Sequence, residues 1–310
     1  MHICATADKP EFQTLEAFMT RSGLVASLLC CSILVSAANA AAAASAPDLS
    51  GAWARTTFEL EPPASGPGPL RDPPRGSKAP PAYTSPLLKP AAAAIVKQRY
   101  ESVQAGKPYP TPSETCWPMV PPLIFRVREM QLVQKKDEVL LIYMQDHEVR
   151  RVRIGGTHLA NLTPTWHGDS IGHYEGDTLV VDTIGMKVGA INVIDRAGSP
   201  YSKDLHVVER YRLISYEETK AARERNVTTV GGLTSLATPQ AAGIDENYQG
   251  KGLQIEFTVE DPNVFNTPWS GTATYSKADD LWVENVCAEN THEYYANRDA
   301  AIPTDDTPDF

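Results

Sequence analysis

Cysteine is scarce in this chain: five residues in 310, three of which (Cys4, Cys30 and Cys31) lie before residue 41. The two that remain, Cys116 and Cys287, are too few for a Cys-based structural zinc site, and an even pair in an exported chain reads as one disulfide. Basic charge is short as well. Lys and Arg number 28 against 38 Asp and Glu, a formal net charge of −10. A surface for nucleic acid or anionic membrane needs clustered cations to offset phosphate, so neither partner is expected. The local run Arg150-Arg151-Val152-Arg153 reads as a solvated strand face. The apolar run 23–35 falls short of the roughly 20 residues that span a bilayer, so no stable membrane insertion is expected.

Signatures of particular chemistries are missing too. Gly168-Asp169-Ser170-Ile171-Gly172 lies on a strand rather than at a strand-to-helix turn, which excludes a nucleophile elbow. Gly155-Gly156 and Gly231-Gly232 lack the strand-to-helix setting of a phosphate or dinucleotide loop. His167, His173 and Glu175 are the right residue types for zinc, yet neither HxxEH-type nor HxH-type spacing occurs, so no metal is assigned. The expected chemistry needs no cofactor.

What is present starts with an address. Arg21, the apolar run 23–35 and the small-residue site Ala38-Asn39-Ala40 are the three parts of a secretory signal, with cleavage expected after Ala40. Met19 offers a later start, which makes residues 1–18 an over-extended beginning. The mature chain is then periplasmic or secreted. It has an alanine-rich spacer at 41–47, a single domain at 48–297 and an acidic, Pro-containing flexible tail at 298–310.

Asp48-Leu49-Ser50-Gly51-Ala52-Trp53 opens the domain as calycin-type barrels open, with the Trp closing one end. The stretch 61–90 is dense in Pro, Gly and Ser and cannot sustain a ladder, because proline lacks the donor N–H. A helix is expected at 91–103, between Pro90 and Gly106, with Ala94, Ile95, Tyr100 and Val103 as its sticky side. Beyond Pro122 the hydrophobic period changes to two. Strands are predicted at 125–134, 138–145, 149–154, 170–175, 178–186, 205–214, 253–261, 272–276 and 281–288. Short polar turns and the absence of βαβ alternation point to an all-β fold. The expected architecture is an antiparallel lipocalin-like barrel or curled sheet with one peripheral helix and long irregular straps. The segment 215–252 reads as a lid or peripheral insertion.

Several blocks carry a likeness: DLSGAW, the Cys-x-Pro stretch at 116–118, VRRVRIGGTHL, WHGDSIGHYEGDTLVVDTIGM, LHVVERYR, VEDPNVFNTPW and VCAEN. Together they resemble a family of uncharacterised exported proteobacterial proteins whose hairpin reads W-x-G-x-S-x-G-x-W-E-G-D-T-L-V-V-D-T. The resemblance covers most of 48–290 and implies a lipocalin-like domain in the periplasm, with no settled activity attached. Tyr174 departs from the family's Trp, an expected glycine is missing after Cys116, and 215–252 stands out as an insertion.

The chemistry is sought on two strands. On the first strand of the hairpin, Asp169, Ile171, His173 and Glu175 alternate onto one side, where an Asp169–His173 pair can relay a proton. In the strand at 205–214, Glu209 shares the apolar face with Leu205, Val207, Tyr211 and Leu213. A carboxylate placed there must be paired, protonated or used; a salt bridge to an Arg of a neighbouring strand is the structural alternative. His158 follows Gly155-Gly156-Thr157 in a loop able to swing over a barrel mouth. Glu209, His158, Asp169 and His173 are therefore the candidate catalytic residues, and Trp166, Tyr174, Tyr211 and Trp269 the candidate walls for an apolar or aromatic small molecule. Two functions stay open, a cofactor-independent lyase, isomerase or cyclase working in the barrel, and a carrier of the same ligand. An enzyme requires Glu209 and at least one of His158, Asp169 and His173 in one cavity. Thiol labelling of the mature protein under denaturing, non-reducing conditions is expected to find no free cysteine.

Overall fold

Alternating strands that each bury one face can curl until no edge is left, and here they close completely. The strands are β1 (Gly51–Ala54), β2 (Glu129–Gln134), β3 (Glu138–Tyr143), β4 (Val149–Ile154), β5 (Asp169–Glu175), β6 (Thr178–Ile184), β7 (His206–Ile214), β8 (Gly252–Glu260) and β9 (Trp269–Lys277), and they form one barrel in sequence order. The computed structural model describes residues 46–73, 77–107, 109–126, 129–229, 243–279 and 285–287, all within the compact unit Ser45–Phe310. The signal at 1–40 and the tail at 298–310 lie outside the described residues. Every pairing is antiparallel except β4 with β5, which runs parallel with Val152 opposite Ser170. Gly172 is needed there, because a Cβ at this position would come within 2.9 Å of a Val152 methyl.

The predicted strands from 138 to 276 appear as β3–β9 with shifted ends. Residues 123–126 form a 3-10 turn instead of the start of a strand. The strand expected at 281–288 falls mostly outside the described residues, and 285–287 carry no strand. β1, which the period-two pattern does not announce, closes the barrel by pairing Gly51 with Leu132 and Trp53 with Lys277. The helix is α1 (Pro90–Gln104), but its buried side is Ala92 and Val96. Ile95 and Val103 are 38% and 47% exposed, so the expected sticky face points to solvent. Small side chains let α1 lie close, and the larger apolar residues were the misleading signal. A second helix, α2 (Tyr216–Thr229), occupies the charged run of the insertion; residues 230–242 lie outside the described residues.

Both ends of the barrel are stoppered by its own chain. At one end Trp53 points inward, its indole N–H donating to Leu49 O at 3.0 Å, with the Lys277 ammonium 4.8 Å from its ring centre. At the other, the 3-10 turn pushes Phe125 inward against Phe257, with ring centres 5.7 Å apart, and Trp269 packs edge-on to Phe257 and Phe265. The Phe125 carbonyl accepts from Tyr275 at 2.8 Å and from Arg55 at 2.9 Å. Cys116 and Cys287 form the disulfide, closing a separation of 171 residues. No described helix is long and apolar enough to cross a membrane.

The barrel axis holds an ion pair. Arg150, far from being part of a solvated face, points inward from β4, and its guanidinium grips Glu209 of β7 with two bonds, 2.9 and 2.8 Å; both side chains are 0% exposed. Ser170 at 3.0 Å and Thr183 at 2.5 Å, on the strands between, accept the remaining Arg150 bonds, and Tyr211 donates to Glu209 at 2.6 Å. Burial alone pulls the Arg150 pKa down, but the charge and hydrogen bonds of Glu209 together with Tyr143 and Tyr211 more than reverse it. Removing one partner leaves an uncompensated charge in the core, costing about 3–5 kcal/mol, whereas replacing both with apolar residues of similar volume is close to neutral. Urea denaturation is therefore expected to show Glu209→Leu strongly destabilised and the Arg150→Met, Glu209→Leu double variant much closer to the parent.

Candidate active site

The sequence-derived site residues separate in space. Glu209 and Tyr211 are sealed in the axis with Arg150, and Trp269 is buried in the aromatic stopper. Tyr174 sits at the other end, its hydroxyl accepting from Gln134 at 3.0 Å. Trp166 lies outside against Trp117, ring centres 5.3 Å apart. The expected cavity shared by Glu209 and the hairpin residues does not form, because the alternation that turns Glu209 inward turns Asp169 and His173 outward. His173 is exposed and bonds Glu175 at 3.0 Å, and Glu175 in turn accepts from Arg210 at 2.5 Å. The Asp169–His173 relay is thus replaced by other partners.

Asp169 instead meets His158. On the outer wall Arg153 donates to both Asp169 oxygens at 2.7 and 2.9 Å, His158 Nδ1 lies 3.0 Å from Asp169, and His158 Nε2 lies 3.0 Å from Asp182. His206 Nε2 reaches the same Asp182 oxygen at 3.0 Å, and its Nδ1 lies 3.7 Å from Glu260. Burial raises the Asp169 pKa, but hydrogen bonds from Leu159 N–H, His158 and Arg153 outweigh it, and the net shift is downward. This ladder crosses β4 to β8 and pins the 155–168 loop. None of its members borders any of three clefts on the molecule, and its open position screens its charges. His167, considered for metal, lies 3.2 Å from Glu148; no group of three or more suitable ligands gathers among the described residues.

A different group of residues has the properties of a site. Beside the end stoppered by Phe125, a cleft of about 190 Å³ is bordered by Tyr109, Thr111, Ser113, Arg126, Asp195 and Arg196. Each comes from irregular chain held by apolar anchors. Leu123, Ile124 and Phe125 are buried, which carries Arg126 to the rim; its Nε donates to Phe58 O at 3.3 Å. Val193 and Ile194 are buried and position Asp195 at the first place of a tight turn, with Gly198 N–H donating to Asp195 O at 3.3 Å. Gly198 has φ +77°, and any side chain there would strike the Tyr109 hydroxyl and Arg99. Arg99, from α1, donates to the Gly198 carbonyl and stacks 5.3 Å from the Tyr109 ring centre.

Asp195 is the unusual member. Its carboxyl is buried, one oxygen accepts from Ser199 N–H at 2.9 Å, and the other has no hydrogen-bond partner among the described residues. Burial pushes its pKa up to about 6, against the hydrogen bonds from Ser199 and Ala197 N–H. Burial likewise pushes the Tyr109 hydroxyl up to about 12 and pulls the Arg126 guanidinium down to about 10, still cationic at neutral pH. A carboxyl that titrates near neutrality, next to a phenol and a guanidinium, can accept and return a proton while a cation holds the substrate. In sequence, Asp195 sits in Asp-Arg-Ala-Gly, which reads as a turn, Arg126 falls inside a predicted strand and Tyr109 inside a Pro-rich strap. The one usable signal was that this turn follows the apolar stretch Ile191-Asn192-Val193-Ile194. No family model, curated protein or solved structure matches the chain, so its chemistry rests on these side chains.

The raised Asp195 carboxyl has a sign that can be tested. The folded protein holds this proton more tightly than the unfolded chain, so the contribution is fully favourable below about pH 4 and is lost as pH rises through about 6. Asp195→Asn removes the cost of burying the charge. Denaturation at pH 4 and pH 7 is expected to show the variant gaining on the parent between the two, by up to about 3 kcal/mol; an equal difference at both pH values means Asp195 does not titrate there.

Proposed function

We propose that the chain is an exported, cofactor-independent enzyme that moves a proton on a small molecule held in the Asp195 cleft, a lyase, isomerase or cyclase type of reaction. One observation carries this reading: a buried carboxyl, one of whose oxygens has no hydrogen-bond partner among the described residues, borders a cleft that also presents a phenol and a guanidinium. Asp195 is the general base and, once protonated, the general acid; Arg126 and Tyr109 orient the substrate and stabilise charge that develops on it. Glu209 is a structural residue in this reading, because a bidentate pair sealed in the barrel axis reaches no substrate. Export is supported by the N-terminal basic, apolar and small-residue sequence pattern and by the Cys116–Cys287 disulfide, which suits an oxidising compartment.

The carrier reading uses the same cleft without turnover, and one experiment separates the two. Incubating the protein with a metabolite pool in D₂O and reading deuterium incorporation by mass spectrometry is expected to mark one compound or a few. Asp195→Asn should cut the exchange rate by roughly 10²- to 10⁴-fold with binding retained. Binding without any exchange in the parent protein identifies a carrier.

A further inference from the structure

The charges around the Asp195 cleft are out of balance for a chain whose formal net charge is −10. Arg55, Arg99, Arg126 and Arg196 converge here from four segments, and each has its pKa pulled down by burial. The carboxyls that face them are Glu59, Glu61, Asp72 and Asp195, and Glu61 is paired with Arg225. Glu59 is already taken, since it pairs with Arg196 and lies 4.0 Å from Arg71. Asp72 accepts from Ala82 N–H at 3.0 Å, Asp195 accepts from Ser199 N–H at 2.9 Å, and neither carboxyl forms an ion pair with an arginine among the described residues. Arg55 and Arg99 spend their bonds on backbone carbonyls of Phe125, Glu59 and Gly198.

Arg126 is left over. Only its Nε has an acceptor among the described residues, the Phe58 carbonyl at 3.3 Å. Its two terminal nitrogens belong to a residue that borders the cleft, and no carboxylate among the described residues forms an ion pair with them. A partly buried cation without an ion-pair partner carries a desolvation cost, and a ligand that brings negative charge offsets part of it.

We propose, resting on the reading that this cleft is the substrate site, that the ligand is a small organic carboxylate clasped by Arg126. Three features select a carboxylate over other anions. The guanidinium offers a planar two-nitrogen fork, which matches a planar two-oxygen acceptor. Arg126, a cleft arginine with no ion pair among the described residues, balances one negative charge and not the two of a phosphate monoester. The cleft, about 190 Å³, holds the equivalent of about six waters, which limits the ligand to a carboxyl group and a few carbons or one ring. The remaining walls fit that description: Leu123 and Val193 supply apolar contact for the carbon part, and the Tyr109 hydroxyl a further hydrogen bond. Asp195, on the same rim, lies beside the carbon skeleton once the carboxylate is on Arg126; the proton it takes is one on the carbon next to the carboxylate, and the electron pair left behind is spread into the carboxylate that Arg126 stabilises.

Calorimetric titration of the full mature chain with acetate, benzoate, benzyl alcohol, phosphate and sulfate tests the assignment. A carboxylate is expected to bind at one site, with benzyl alcohol, phosphate and sulfate at least tenfold weaker. Arg126→Gln should weaken carboxylate binding roughly 10- to 100-fold, the range for loss of charge-assisted hydrogen bonds. Arg126→Lys, which keeps the charge but not the fork, should fall between. Arg212→Gln, an exposed change on β7, serves as the control, and circular dichroism checks that each variant folds. Phosphate or sulfate binding as tightly as the carboxylates overturns the proposal, as does carboxylate binding that Arg126→Gln leaves intact or no carboxylate binding at all. The parent reading fails separately. If carboxylates bind through Arg126 but no deuterium exchange occurs, the enzyme is wrong and the carboxylate site stands; if exchange occurs on a neutral compound, the reverse holds.

Discussion

The two-bond grip of Arg150 on Glu209 is the constraint around which this barrel is assembled. It links strands that are not neighbours, reaching from β4 past β5 and β6 to β7, and the intervening strands contribute Ser170 and Thr183 to complete it. A one-residue slip of β4 would put Val149 or Arg151 on the axis and leave Glu209 alone in the core. The pair therefore specifies the register of four strands at once, while adding little to net stability compared with an apolar filling.

Filling the axis in this way moves chemistry elsewhere. The described residues fill the middle of the barrel with an ion pair and stopper each end, and the candidate site lies outside, where loops and straps cross. The Pro-rich segments before β2 supply Tyr109 and Arg126, and the 185–205 connection supplies Asp195. Proline keeps such chain extended and prevents it from joining the ladder, so its side chains can be presented at one end of a rigid support.

Legibility in the sequence followed the same division. Period-two alternation exposed β3–β9 and the inward position of Glu209, because those follow from side-chain direction alone. It failed on Arg150, since an arginine among arginines reads as solvated and its partner lies 59 residues away. It failed on α1 because burial there depends on closeness, which favours Ala92 and Val96 over Ile95. The Asp195 site was invisible for a similar reason. Its members come from segments with no period at all, and what makes them unusual, burial without partners, is a property of the folded surroundings and not of the residues.

One feature of the pairing pattern has a topological cause. Strands that alternate in direction can close a ring without conflict only if their number is even; with nine, one adjacent pair has to run the same way. Here that pair is β4 and β5. The chain between them must travel the length of the barrel along its outer surface, and 155–168 is that return path, fastened by His158 between Asp169 and Asp182. The histidine that looked like a catalytic candidate is, on this view, the clasp on a strap that an odd number of strands makes unavoidable.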